Sequence, residues 1–220
     1  MITNPELFKT LVSAVPYSFI EKLHQDIPGS YSEAHASVFN DPIIEEAECE
    51  YLMPHYRRAI VETTFRKAAA SSGLVAIAQD NIRHTAKYSL VKCGPFLITA
   101  SYVSEPGKLV RTANFRSQHA SLNALLAQGR FSEFDTPETF QGEAESIYCI
   151  LLHGADFFDK AKVGFIELAF PDSTASSWVE RYKLSDVLLA AQAKRDENNE
   201  QQDNARPTLK TIPKEGKEEG

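Results

Sequence analysis

The sequence predicts an α+β protein: a helical N-terminal region, then a mainly antiparallel sheet of five to six strands packed against helices, then a disordered, charged C-terminal tail. Three observations predict it. Helical signals run without interruption to Ser72-Gly73. Six strand-like segments follow in two groups of three, linked largely by turn signals of the hairpin type. Strands and helices do not alternate one for one, as they would in a doubly wound fold, so the helices should gather on one side of the sheet. The expected divisions are residues 1–73, 74–194 and 195–220.

Asn4-Pro5 reads as a helix start, with a capping side chain and then a proline at the first helical position. Leu7, Phe8, Leu11 and Val12 form one apolar face before Pro16. Phe19, Ile20 and Leu23 predict a second short helix closed by Pro28-Gly29, with another turn or two over 32–39. Asp41-Pro42 repeats the capping signal, and Glu45 and Glu46 suit the first turn of a helix. Pro54 either kinks that helix or begins a new one. Val61, Phe65 and Ala69 then recur at four-residue steps to the stop at Gly73.

Beyond Gly73, strands are expected at 74–79, 84–92 and 96–103, the last two forming a hairpin around Cys93-Gly94-Pro95. Residues 112–128 form a helix with Phe115, Leu122 and Leu126 on one face and Gly129 as its stop. An acidic loop, GRFSEFDTPETFQGEAE, follows and is long for a compact domain. Strands return at 147–153, 163–170 and 178–184, and Ser185 caps a final helix. The run 147–153 lacks alternation and so marks a central strand buried on both faces. His153 ends it, where Gly154 is expected to turn the chain.

The chain has 220 residues and a formal charge of −7. That charge disfavours unspecific electrostatic binding to nucleic acid or to an anionic membrane. Cys49, Cys93 and Cys149 are odd in number and widely spaced, which suggests unpaired thiols rather than a disulfide framework or a zinc ribbon. The first residues carry no basic region ahead of an apolar one, and no run approaches a membrane span. A cytoplasmic location is expected, with no membrane partner.

Phosphate-loop, dinucleotide, nucleophile-elbow and zinc-protease motifs are all missing. The Glu-x-Lys of a metal-dependent nuclease occurs only at Glu215-Gly216-Lys217, in the tail. No cofactor and no metal is therefore expected. His153, Asp156 and Asp159 offer one nitrogen and two carboxylates, but nothing locks them in a coordinating geometry, and Phe157-Phe158 suggests a loop packed back on the core.

Two further constellations carry polar chemistry. His55, Arg58, Glu62 and Arg66 line one helix face whose i,i+4 pairs neutralise one another. With Arg57 and Lys67 they form the most basic segment, the one place where nucleic acid or an acidic partner would bind. Arg116, His119 and Asn123 form a polar stripe, with Arg111 just upstream, suited to holding an anion or positioning a carbonyl. The binding candidates are thus Arg57, Arg58, Arg111, Arg116, His119 and Asn123.

Any catalytic site would draw on Arg116, His119, His153 and Glu167. A hairpin centred on Phe158 puts His153 and Glu167 on one face but four residues apart, about 13 Å at ~3.3 Å per residue. That is too far for a dyad, and a structural ion pair to Arg116, Arg181 or Lys183 suits Glu167 better. The sequence therefore favours a binding or regulatory protein acting through protein contacts. The alternative is a hydrolase or nuclease with a non-standard site around those four residues.

Overall fold

The computed structural model describes residues 4–81, 84, 86–127 and 146–205. Helices α1 (Pro5–Ala14), α2 (Tyr17–Phe39) and α3 (Glu46–Ser71) lead into strands β1 (Val75–Asp80), β2 (Lys87–Cys93) and β3 (Phe96–Tyr102). A crossover follows, carrying α4 (Asn114–Ala120), a 3-10 turn (Ser121–Asn123) and α5 (Ala124–Ala127). Strands β4 (Ile147–Ala155), β5 (Val163–Pro171) and β6 (Trp178–Lys183) run directly into α6 (Leu184–Ala205). The acidic loop 129–145 and the last residues, 206–220, lie outside the described residues.

The six strands form one sheet in chain order. Every neighbouring pair is antiparallel except β3 and β4, which are parallel. A parallel pair cannot be closed by a hairpin, so the chain spends the whole crossover between them. The fold is α+β with a mostly antiparallel sheet, as predicted.

Alternation along the central strands separates two cores. Cys149 and Leu151 of β4, with Ile98, Leu168 and Phe170, pack under a helical layer through Leu11, Phe19, Leu23, Phe65 and Val187. Tyr148, Ile150 and Leu152 pack on the opposite face with Val110 and Ala120 of the crossover, so the helices do not all gather on one side: the parallel β3–β4 connection carries α4 across the other face. All nine residues of β4 are therefore buried. Among the described residues, no helix is long and apolar enough to cross a membrane.

The N-terminal signals hold where they are local. The Asn4 side chain accepts the Leu7 N–H at 3.1 Å. Gly73 takes φ +76°, and the Leu74→Ala69 and Gly73→Ala70 bonds close α3 in a Schellman arrangement. Three expectations fail, the first because burial outweighs propensity. The second helix does not stop at Pro28-Gly29: α2 continues, burying Ser30, Tyr31, Ala34 and Val38 beyond them, and Ser30 Oγ donates to the Asp26 carbonyl at 3.0 Å. Asp41-Pro42 starts no helix: the Asp41 carboxylate takes the Ile43 N–H in a local turn, and α3 begins only at Glu46. The final helix does not end near Lys194 but runs to Ala205, so 195–205 are helical, with Arg195 4.3 Å over the Tyr17 ring.

Candidate functional site

The polar chemistry collects where the sheet opens. The β2–β3 ladder holds Cys93↔Phe96, Lys92↔Leu97 and Val91↔Ile98, and the two strands then part. The β2 backbone groups that would have met β3 are taken by α3 instead. Glu62 Oε2 accepts the Ser89 N–H at 2.8 Å, and Arg58 Nη2 donates to the Lys87 carbonyl at 2.8 Å. Arg66 Nη1 donates to Ser89 Oγ at 2.6 Å, and that hydroxyl donates to the Glu62 carbonyl. The expected solvated, self-neutralised face is thus a wedge. Glu62 is buried, and burial raises the pKa of its carboxyl, opposed by the Ser89 hydrogen bonds and by Arg58 and Arg66.

Arg116 and His119 of α4 approach the same opening from the crossover side. Arg116 Nη2 donates to Ser101 Oγ of β3 at 3.0 Å, and Nη1 donates to the Arg111 carbonyl at 2.7 Å. Its Nε is buried and meets no acceptor among the described residues. Burial lowers its pKa, and the field of the Arg58 cation adds to that, while Tyr148 and Glu62 oppose it. His119 Nε2 lies 3.4 Å from the Tyr88 hydroxyl, and its ring is 5.3 Å from that of Tyr148. Tyr88 stacks on Phe115 at 3.9 Å, and the Tyr148 hydroxyl shares a 2.7 Å hydrogen bond with Thr99. The Arg111 side chain is exposed, so its part in this cluster is its carbonyl.

Asn123 does not share the stripe. The helix expected over 112–128 tightens into the 3-10 turn at 121–123, and the Asn123 side chain is fully buried. Its Oδ1 accepts the Tyr148 N–H at 2.8 Å, while Nδ2 donates to the carbonyls of Tyr148 and Pro171 at 2.9 and 2.8 Å. The β4–β5 register reaches Ile150↔Ala169, and two residues farther on Tyr148 would face Pro171. Proline has no N–H to offer. The amide stands in for the missing strand partner, so its hydrogen bonds are spent on backbone.

His153 lies on the other face of the sheet, under the helices. Its Nδ1 is 2.7 Å from the Tyr31 hydroxyl of α2. The Arg57 guanidinium sits 4.7 Å over the Tyr31 ring and 5.5 Å over the Tyr102 ring, and Nη2 donates to the Lys160 carbonyl. Burial, reinforced by the Arg57 cation, pushes the imidazole pKa down to about 3. Arg57 is only 6% exposed, which removes it from any basic helix surface. The four-residue series Val61, Phe65, Ala69 extends back to Arg57, so that burial was legible in the spacing.

Glu167 faces Leu152 rather than the imidazole. The register sets Leu152↔Glu167 and His153↔Ile166, three residues from the expected hairpin. An odd shift of register exchanges faces, so His153 and Glu167 lie on opposite sides of the sheet. Glu167 is held by Arg181, Nη1 to Oε2 at 2.9 Å, the structural ion pair the sequence favoured. Gly154 does not turn the chain either. It lies within β4, and a Cβ there would run into the Phe165 ring and lie 2.7 Å from the Val103 carbonyl.

No known family, curated protein or solved structure matches the chain. What the site can do follows from its own chemistry. Of the four catalytic candidates, Arg116 and His119 share the opening, His153 is across the sheet and Glu167 is spent on Arg181. The loop after β4 is also not packed on the core as expected, since Phe157 and Phe158 are 81% and 91% exposed. The Asp156 carboxylate accepts the N–H groups of Phe158 and Asp159 instead of facing a cation, and Asp159 pairs with Lys162 at 2.9 Å. Among the described residues, no group of His, Cys, Asp and Glu side chains is placed to hold a metal. Sequence reasoning missed Tyr31, Tyr88, Tyr102 and Tyr148: Tyr148 lies in an apolar run and reads as core, and the other three sit among Ser, Lys and Glu with no spacing that marks a site.

Proposed function

We propose that the protein is a binding or regulatory protein whose partner is another protein, docked around the tip of the β4–β5 hairpin. The observation that carries this reading is the exposure of Phe157 and Phe158 at the end of strands that are otherwise largely buried. The two rings stand edge to face at 5.0 Å, and the Asp156 carboxylate fixes the turn beneath them. Burying a phenylalanine is worth about 1.5–3 kcal/mol, so a partner with an apolar pocket gains from both rings while ordering little new chain.

The tip has neighbours suited to the same task. Ser32 Oγ donates to the Ala161 carbonyl, and Arg57 donates to that of Lys160, so the loop rests on α2 and α3. Tyr102, beside Arg57, is half exposed, and aromatic residues together with arginine are enriched at protein interfaces. The nucleic-acid reading loses its extended basic surface, since Arg57 is buried and Arg66 is engaged with the Ser89 and Thr63 hydroxyls. The enzyme reading lacks a point where its four candidates meet. Three free, buried thiols suit a reducing compartment, which supports a cytoplasmic location.

The test is affinity purification from native lysate with the wild type and a Phe157→Ser/Phe158→Ser double variant, identifying both bound proteins and nucleic acids. A protein retained by the wild type and lost from the variant, at unchanged melting temperature, supports the reading. Equal retention by both, or capture of nucleic acid alone, sinks it.

A further inference from the structure

We propose that the opening between β2 and β3 is a binding site for a phosphoryl group carried by a small molecule, held by Arg58 and Arg116. This goes beyond the docking surface and rests on different residues. Three guanidiniums, Arg58, Arg66 and Arg116, border the opening, and the hydrogen bonds they make go to neutral oxygens. Arg58 donates to the Lys87 carbonyl, Arg66 to the hydroxyls of Ser89 and Thr63, and Arg116 to Ser101 Oγ and the Arg111 carbonyl.

Among the described residues, Glu62 is the carboxylate that acts on all three, and its Oε2 is taken by the Ser89 N–H. Three cations against one carboxylate leave an excess of positive charge in a partly desolvated place. Such an excess is costly until an anion arrives, and guanidinium forks match phosphate oxygens bidentately.

The rest of the opening fits the same ligand. Nη1 and Nη2 of Arg116 each make one hydrogen bond among the described residues, to the Arg111 carbonyl and to Ser101 Oγ, so each keeps a second N–H to offer. Ser101 and Ser89 hydroxyls line the two diverging strands, and the Tyr88–His119 pair stands beside them. The excess charge favours a doubly charged phosphoryl group over a single carboxylate. Because α3 has already satisfied the β2 edge through Glu62 and Arg58, the ligand need not compete for the strand's backbone groups.

The test measures thermal unfolding of the full chain as inorganic phosphate is titrated at constant ionic strength, with acetate and chloride as parallel arms. The expected result is a saturable rise in melting temperature with phosphate, larger than with acetate and absent with chloride. Arg58→Gln, at an exposed position, and Arg116→Gln should each weaken the apparent affinity about tenfold or more. The Phe157→Ser/Phe158→Ser variant should keep the full response, which separates this site from the docking surface. A rise that chloride reproduces, no rise at all, or a response unchanged in Arg58→Gln overturns the proposal.

Discussion

Asn123 replaces a strand partner that Pro171 cannot supply, and removing it should unzip the junction between the crossover and the sheet. Asn123→Ala leaves the Tyr148 N–H and the carbonyls of Tyr148 and Pro171 without their partners at 2.8–2.9 Å. Tyr148 has no exposed surface, so water does not substitute freely. An orphaned buried donor costs about 1–3 kcal/mol, and the two carbonyls add to it, for a total of about 3–4 kcal/mol. For a chain of this size that lowers the melting temperature by roughly 6–16 °C.

Asn123→Asp should be at least as damaging at pH 7. It keeps the acceptor for Tyr148 but turns a carboxylate oxygen toward two carbonyls. The assay is urea denaturation followed by circular dichroism, run as a double-mutant cycle with Pro171→Ala. Alanine at 171 restores a backbone N–H, so Asn123→Ala should cost about 1 kcal/mol less in that background. A loss for Asn123→Ala below about 1 kcal/mol, the low end for a single orphaned group, refutes the strand-substitute account. So does the absence of coupling to residue 171.

Three other outcomes are expected. His153 is held neutral, with its folded pKa near 3 against an unfolded value near 6.5. The unfolded chain therefore binds the proton first, so this contribution is complete above about pH 6.5 and is lost as pH falls toward 3, by up to about 1.4 kcal/mol per unit. Urea titrations at about pH 7 and about pH 5, on either side of the unfolded pKa, should show a shallower pH dependence for His153→Gln than for the wild type. Arg181→Met strands the Glu167 carboxylate at 8% exposure and should cost about 2–4 kcal/mol, much of it recovered by adding Glu167→Leu; chemical denaturation of the single and double variants checks this. Truncation after Lys194 removes the Arg195–Tyr17 contact and should cost no more than about 1 kcal/mol, so a larger drop in melting temperature would show that the end of α6 supports the fold.

Legibility in the sequence follows the range of the interaction. Asn4, Ser72-Gly73 and the alternation of Ile166, Leu168 and Phe170 against Phe165, Glu167 and Ala169 depend on local backbone geometry, and each is readable. Pro28-Gly29 misleads because a break signal is worth a few kcal/mol, while α2 buries Tyr31, Ala34 and Val38 beyond it. The β4–β5 register escapes a local reading because a bulge lies between Gly154 and Ala155, and nothing nearby in the chain announces it.

The candidate site divides the same way. Arg116 and His119 stand out as a polar stripe from helical spacing alone. Whether that stripe faces water or a cleft depends on where β2 and β3 part, a property of strands that are paired across the fold. Periodicity and desolvation act residue by residue, and so the order of elements, the doubly buried central strand and the pairing of Glu167 with a cation follow from the chain's residues directly. Register and crossover fix which faces come together. They alone bring Arg58, Arg66 and Arg116 to one opening, set Asn123 where it completes a strand, and put His153 across the sheet from Glu167.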